Sequence, residues 1–147
     1  MKRCIRLPTE GPFSGLEPTD YIPPASVRSG EPRERGRSYY TDRTGQLDAG
    51  VWECEPNRHE IDGAPYDEFV YLLEGRIDVI DESGESETYR AGNSFVMPRG
   101  CTCTWDVREP VRKLYTALGS SRSNGRAART PRPRRRRSGR NRATHLS

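Results

Sequence analysis

Cysteine and histidine, the side chains best suited to nucleophilic or metal chemistry, are scarce in this sequence and widely spaced. The six are Cys4, Cys54, Cys101, Cys103, His59 and His145. Cys101 and Cys103 would project from the same face of a strand, because one residue separates them. No C-x2-C pair or second cluster accompanies them, as it would in a zinc site. We therefore predict reduced thiols in a cytoplasmic protein and find no convincing Cys–His catalytic pair.

The elements that must position these side chains are short strands. From Tyr39 onward, apolar or alternating runs occupy residues 46–54, 68–73, 76–80, 85–90, 94–97, 103–107 and 111–118. Turn residues separate these runs at intervals of about 8–12 residues, which is typical of a β-sandwich or barrel. No window shows the apolar spacing of a helix. The pattern predicts an all-β domain over residues 39–118.

Two segments sharpen this prediction. Residues 81–85 read as a hairpin turn in which Gly84 supplies the positive φ that such turns require. Residues 69–73 are apolar at every position, which predicts a central strand covered on both faces. A two-layer sandwich or a closed barrel offers such a position.

The segments on either side of this domain differ from it and from each other. Residues 1–38 hold six prolines and four glycines, which predicts an extended arm lying over the body with a few short pairings. Residues 119–147 hold ten arginines and no Asp, Glu or Lys, which predicts a disordered basic tail. The first 118 residues keep 15 basic against 21 acidic residues, so the body is acidic although the whole chain carries +4.

The basic tail has three interpretations. It binds nucleic acid through salt-dependent phosphate contacts, it is a solvated extension without a partner, or it results from reading a GC-rich gene out of frame. The change in composition after Leu118 is abrupt, which favours the last two. We therefore do not expect nucleic acid to be a partner.

Composition excludes further classes of protein. The chain is 31% hydrophobic and 31% charged, so its core is small and would gain from association with a second copy. No stretch approaches the roughly 20 apolar residues of a membrane-spanning helix. The first eight residues are not followed by the apolar core of a secretory signal. We expect a cytoplasmic protein without a membrane partner.

One stretch resembles a known family. Residues 92–103 match the second cupin motif, G-x5-P-x-G-x2-H-x3-N, at Gly92, Pro98 and Gly100, and Glu68 with Gly75 match the end of the first motif, H-x-H-x3-4-E-x6-G. The amino-acid sequences of four runs resemble those of the small cupins related to the (S)-ureidoglycine aminohydrolase cupin domain. These runs are residues 51–54, 68–75, 104–107 and 111–115. The resemblance covers about residues 39–118. It implies a double-stranded β-helix, the cupin jelly-roll barrel, and a homodimer.

The resemblance also implies a metal in the barrel mouth, held by three histidines and a glutamate. Here only Glu68 keeps its ligand identity. The two H-x-H positions fall on Ile61 and Gly63, or on Asp62 and Ala64, and the third histidine position is Cys103. A non-standard site of Glu68 and Cys103 with either His59 or Asp62 would suit zinc. We favour a metal-free protein, in which Cys103 is a small buried hydrophobe and His59 a solvated loop residue.

Three functions follow in order of preference. The first is binding of a small polar metabolite in the barrel mouth, with Glu68, Tyr71, Cys103 and Trp105 as candidate pocket residues. The second is metal-dependent hydrolysis of a small nitrogenous acid, with Glu68 as ligand or general base. The third is nucleic-acid association through the tail. Purely structural roles stay open for these residues. Glu68 would cap the barrel mouth by hydrogen bonding to Tyr66 or a backbone amide, and the aromatic side chains of Trp52, Tyr71, Trp105 and Tyr115 would pack the core.

Overall fold

The computed structural model describes residues 1–119, which form one nine-stranded antiparallel sheet and a single turn of 3-10 helix at Pro24–Ser26. The strands are β1 (Glu17–Pro18), β2 (Val27–Gly30), β3 (Arg35–Thr41), β4 (Leu47–Cys54), β5 (Asn57–Ile61), β6 (Asp67–Asp81), β7 (Ser86–Arg90), β8 (Ser94–Met97) and β9 (Cys103–Leu118). This part of the chain has no α-helix, which confirms the predicted all-β fold. It also contains no helix long and apolar enough to cross a membrane.

Strand β9 is the centre of the sheet. One of its edges pairs with β5 along its first half and with β4 along its second half, while its other edge pairs with β6 along almost its whole length. The far edge of β6 pairs with β8 near its start and with β7 near its end. The sheet therefore curls into a half-barrel. Its two long strands, β6 and β9, each pair with one short strand near their start and another near their end.

The predicted breaks at 74–75 and 108–110 do not end these two strands. The register between β6 and β9 instead shifts three times between Leu72 and Ile77. Gly75 has a φ of 90° there, and a Cβ on it would lie 2.2 Å from the carbonyl oxygen of Pro110. Bulges absorb the irregular residues because extra residues in one strand can bend a sheet without interrupting it.

The predicted hairpin at residues 81–85 is confirmed. The Asp81 amide donates to the Glu85 carbonyl oxygen at 2.9 Å, and Gly84 has a φ of 89°. Strand β5, by contrast, was not predicted from the sequence. It pairs with β2 of the N-terminal arm, while β1 pairs with β3.

The core lies on the inner face of the curled sheet. Alternate residues of β9 and β6 point into it, and Leu72 and Ile77 are fully buried. The prediction that residues 69–73 are covered on both faces is wrong, because Phe69 on the outer face is 47% exposed. The basic tail predicted over 119–147 lies, except for Gly119, outside the described residues.

Candidate functional site

A cavity of about 240 Å³ opens between β4, β5, β6, β9 and the N-terminal arm. Its aromatic wall comprises Tyr21, Trp52, Tyr66, Trp105 and Tyr115. The lining also includes the charged residues Asp48, Glu68 and Lys113 and the imidazole of His59. Glu60 on β5 and Asp62 in the loop after it complete its ionisable groups other than the tyrosines. The cavity therefore combines an apolar surface with a small number of polar groups, as ligand sites do.

Lys113 is the charged group at the centre of this site. Strand alternation buries Val111, Lys113 and Tyr115 on one face of β9, so the lysine points inward. Its Nζ donates a hydrogen bond to Glu68 Oε1 on the neighbouring strand β6. The same Nζ lies 4.7 Å from the ring centroid of Trp52 and 4.8 Å from that of Trp105. Two indole faces and one carboxylate thus hold the ammonium, each through its negative charge density.

Asp48 is a second buried carboxylate in the wall, only 2% exposed. It accepts hydrogen bonds from Ser38 Oγ, from Thr41 Oγ1 at 3.2 Å and from the Tyr115 hydroxyl at 3.2 Å. No arginine, lysine or histidine within residues 1–119 forms an ion pair with it. Burial, followed by the charge of Asp48, raises the pKa of Tyr115, so this phenol stays protonated and donates.

The N-terminal arm contributes one wall of the cavity, and the carboxylate of Glu34 holds that part of the arm in place. This carboxylate accepts from Thr19 Oγ1 at 2.6 Å and from the backbone amides of Tyr21 and Ile22 at 2.8 Å each. The indole Nε1 of Trp52 lies 3.3 Å from the same carboxylate. Glu34 therefore fastens the segment bearing Tyr21 and Ile22 next to the aromatic wall.

His59 is buried on β5, and the prediction that it is a solvated loop residue is wrong. It is 4% exposed and lies opposite Trp105, with the two ring centroids 5.8 Å apart. Burial, helped by the Lys113 charge, lowers the pKa of His59 to about 4. Its Nδ1 is 2.7 Å from Asn57 Oδ1, and the Asn57 amide nitrogen donates to the Glu55 carbonyl oxygen. In the neutral ring, Nδ1 is thus the donor and Nε2 the acceptor.

The structure brings together three of the residues singled out in the sequence and separates two others. Glu68, Trp105 and His59 line the cavity. Tyr71, expected in the pocket, lies on the opposite face of β6 from Glu68. Successive strand residues alternate between the two faces of a sheet, and these two residues are three positions apart. Cys103 belongs to the hydrophobic core cluster instead of the cavity lining. Burial and the neighbouring Cys101 raise the pKa of its thiol to about 12.

A cupin metal centre needs several donors directed at one point, and the described residues do not provide them. Glu68 is engaged by the Lys113 ammonium, which would repel a metal cation, and His59 Nδ1 by Asn57. Within residues 1–119, no three His, Cys, Asp or Glu side chains are grouped closely enough to hold a metal ion. The side chains present therefore do not fit the metal that the resemblance implies.

Sequence reasoning missed Lys113 and Asp48. A signal was available for the lysine: it alternates with Val111 and Tyr115, whose apolar side chains predict an inward face for every second residue. Asp48 gave no comparable signal, because its hydroxyl partners lie on two other strands, Ser38 and Thr41 on β3 and Tyr115 on β9, which is 67 residues further along the chain.

Comparisons with known proteins agree with this architecture. The sequence profile of the EutQ-like cupin domain matches residues 41–115. A protein of unknown function from the DUF861 family of Pseudomonas syringae pv. tomato is 27% identical, with a TM-score of 0.70 over 76% of this chain and 46% of its own. The putative ethanolamine utilization protein Q of Salmonella typhimurium is 27% identical, with a TM-score of 0.51 over 58% of this chain and 68% of its own.

The EutQ protein of Clostridium difficile shares the fold at 21% identity, with a TM-score of 0.52 over 58% of this chain and 68% of its own. This chain spans about half the length of the Pseudomonas protein. No curated protein sequence matches it.

Proposed function

Because this chain belongs to the EutQ-like cupin family, we propose that it uses its barrel mouth as cupins do, to bind a small polar metabolite. The observation that carries the proposal is the hydrogen-bonded pair of Lys113 and Glu68 at the wall of an aromatic cavity. Charged groups are costly to bury, and here they line a space that can admit another molecule.

The size of the cavity limits the ligand. Pockets for drug-sized molecules occupy about 300–1,000 Å³, and this cavity has about 240 Å³. The ligand is therefore a metabolite of few heavy atoms. The resemblance to the ureidoglycine aminohydrolase cupins belongs to this proposal, since their substrate class is small and nitrogenous.

Charge limits the ligand further. Asp48, Asp62 and Glu68 line the cavity against one lysine. Glu60 also belongs to the lining, but it is paired with Arg28. The low pKa of His59 keeps that ring neutral at pH 7. An anionic ligand would meet an excess of carboxylates, so uncharged or cationic molecules are favoured. No described feature favours the metal-dependent alternative, and the nucleic-acid alternative depends on residues outside the described part of the chain.

A pair on the outer face supports the homodimer that we propose in addition. Phe69 and Val96 lie opposite each other on β6 and β8 and are 47% and 60% exposed. Adjacent exposed apolar side chains are typical of association surfaces. Light scattering of the protein and of a Phe69→Glu variant tests this, and a monomeric wild type would refute it.

Tryptophan fluorescence tests the binding proposal. The chain has two tryptophans, Trp52 and Trp105, and both line the cavity, so the signal reports on this site. We expect acetamide and ethanolamine to change the emission in a saturable way and acetate to have little effect. Ala117→Leu, which would fill the cavity, should abolish the response, whereas Tyr71→Phe on the outer face should preserve it. Absence of any response in the wild type, or a response that persists in Ala117→Leu, would refute the proposal.

A further inference from the structure

Lys113 carries an inference that rests on the proposed function and extends it. We propose that the Lys113 amine is a nucleophile that forms an imine with a small uncharged aldehyde or ketone held in the cavity. The ligand class is thereby narrowed to carbonyl compounds, and the site acquires covalent chemistry.

The first argument is the choice of residue. The chain has 23 arginines and only two lysines, Lys2 and Lys113. Arginine supplies the cation in every other ion pair of the described residues, and it forms two parallel hydrogen bonds with a carboxylate where lysine forms one. A purely electrostatic partner for Glu68 would not require the single buried lysine. An amine differs from a guanidinium in its ability to lose a proton and attack a carbonyl carbon.

The second argument is the geometry of the amine. The Lys113 side chain is 7% exposed, yet the residue lines the cavity. An ammonium carries three N–H donors, and within residues 1–119 that of Lys113 donates a hydrogen bond to Glu68 alone. Its other neighbours are the indole faces of Trp52 and Trp105. Neither ring blocks the nitrogen with a competing acceptor, so the amine can contact a molecule in the cavity.

Glu68 is placed to move the proton. It accepts the proton of the Lys113 ammonium along their hydrogen bond, and the freed lone pair of Nζ attacks the carbonyl carbon. The C=O π electrons move to the oxygen, which takes a proton from the nitrogen and becomes the hydroxyl of a carbinolamine. Glu68 returns its proton to this hydroxyl, which leaves as water while the nitrogen lone pair forms the C=N bond. The step needs no oxidant or reductant.

The surroundings suit this product. An ammonium is replaced by a protonated imine of the same charge at nearly the same place, so the Glu68 carboxylate and the two indole faces stabilise both. Because the charge at Nζ is the same before and after the reaction, an uncharged substrate adds no charge to the acid-rich cavity.

Site-resolved reductive trapping tests the proposal. The full chain is incubated with propanal and sodium cyanoborohydride, which reduces an imine to a stable secondary amine, and the modified residues are found by peptide mass spectrometry. The exposed Lys2 and the N-terminal amine are internal references. We expect Lys113 to react faster than Lys2, with a rate that saturates with propanal concentration. Reaction at Lys2 and the N-terminus with slower reaction at Lys113 would overturn the proposal.

Two variants exclude trivial labelling. Glu68→Gln should slow the reaction of Lys113 by about a hundredfold, the usual effect of losing a general base, and leave Lys2 unchanged. Ala117→Leu should protect Lys113, and fast labelling in that variant would assign the reaction to unfolding and overturn the proposal. Tryptophan fluorescence with propanal alone separates the two claims: a saturable response without trapping leaves metabolite binding standing and removes the imine, whereas failure of every fluorescence probe removes the proposed function itself.

Discussion

Lys113 and Glu68 are hydrogen-bonded to each other across β9 and β6, although 45 residues separate them in the sequence. Both side chains are 7% exposed. Breaking such a pair by removing one partner leaves an uncompensated charge in a poorly solvated place, whereas replacing both partners does not. We therefore expect the two side chains of this pair to be energetically coupled.

The first prediction concerns this coupling. Lys113→Met or Glu68→Leu alone should each lower the free energy of unfolding by about 3–5 kcal/mol. The double variant should lose much less than the sum of the two, because no buried charge is left alone. Urea unfolding of the four proteins measures the coupling. The pair of Arg28 and Glu60 is the control, because both of its side chains are about half exposed. The same double-variant cycle on that pair should show little coupling. Additive losses at Lys113 and Glu68 would contradict the prediction.

The second prediction concerns pH. The folded-state pKa of His59 is about 4, below its ordinary value of 6.5. The unfolded chain therefore binds a proton that the folded chain refuses, and stability falls as the pH is lowered from 6.5 towards 4. This shift corresponds to about 3 kcal/mol over the whole window. Urea unfolding at pH 7 and pH 5 should show the decline.

A His59→Gln variant supplies the control for this titration. It should be less sensitive to pH between 6.5 and 5, a range above the ordinary pKa values of the acidic side chains. An equally steep decline in the variant would assign the pH dependence to another group.

The third prediction uses two glycines with nearly the same positive φ. Gly75 and Gly84 have φ values of 90° and 89°. A Cβ at Gly75 would lie 2.2 Å from the Pro110 carbonyl oxygen, whereas a Cβ at Gly84 would meet nothing within 4 Å. Gly84→Ala should therefore cost only the backbone strain, about 1–2 kcal/mol, and Gly75→Ala clearly more. Thermal unfolding of the two variants measures the difference, and equal melting temperatures would show that β6 and β9 separate at the bulge without cost.

The fourth prediction concerns the thiols. All four cysteines are free; Cys4 is exposed, whereas Cys54 and Cys103 are buried. Burial raises the pKa of both buried thiols to about 12, so their reactive thiolate is scarce at pH 8. A thiol reagent should modify Cys4 rapidly in the native protein and reach Cys54 and Cys103 only in denaturant. Rapid native modification of Cys103 would instead place its sulfur at an accessible surface, as a ligand or nucleophile would require.

The strands were largely predictable because the information that specifies them is local. The run at Ser94–Met97 coincides with β8, and the turn at 81–85 forms through hydrogen bonds within five residues. Prediction failed where a local signal had a different tertiary outcome. Glu74, Gly75 and Pro110 read as breakers, but pairing along the rest of β6 and β9 carries both strands through them as bulges. Strand β5 was missed because Arg58, His59 and Glu60 look like a solvated turn.

The sequence by itself determined the class of fold, the motif that resembles cupins and the absence of their histidines at the expected positions. Each of these depends on residue identity and short spacing. The tertiary structure alone decided which polar side chains share the cavity. Lys113 meets Glu68, and Asp48 meets Tyr115, only because β9 pairs with β4 on one edge and β6 on the other. The burial of these groups is a property of that packing, because alternation along a single strand indicates which residues face inward but not which residues of other strands they meet.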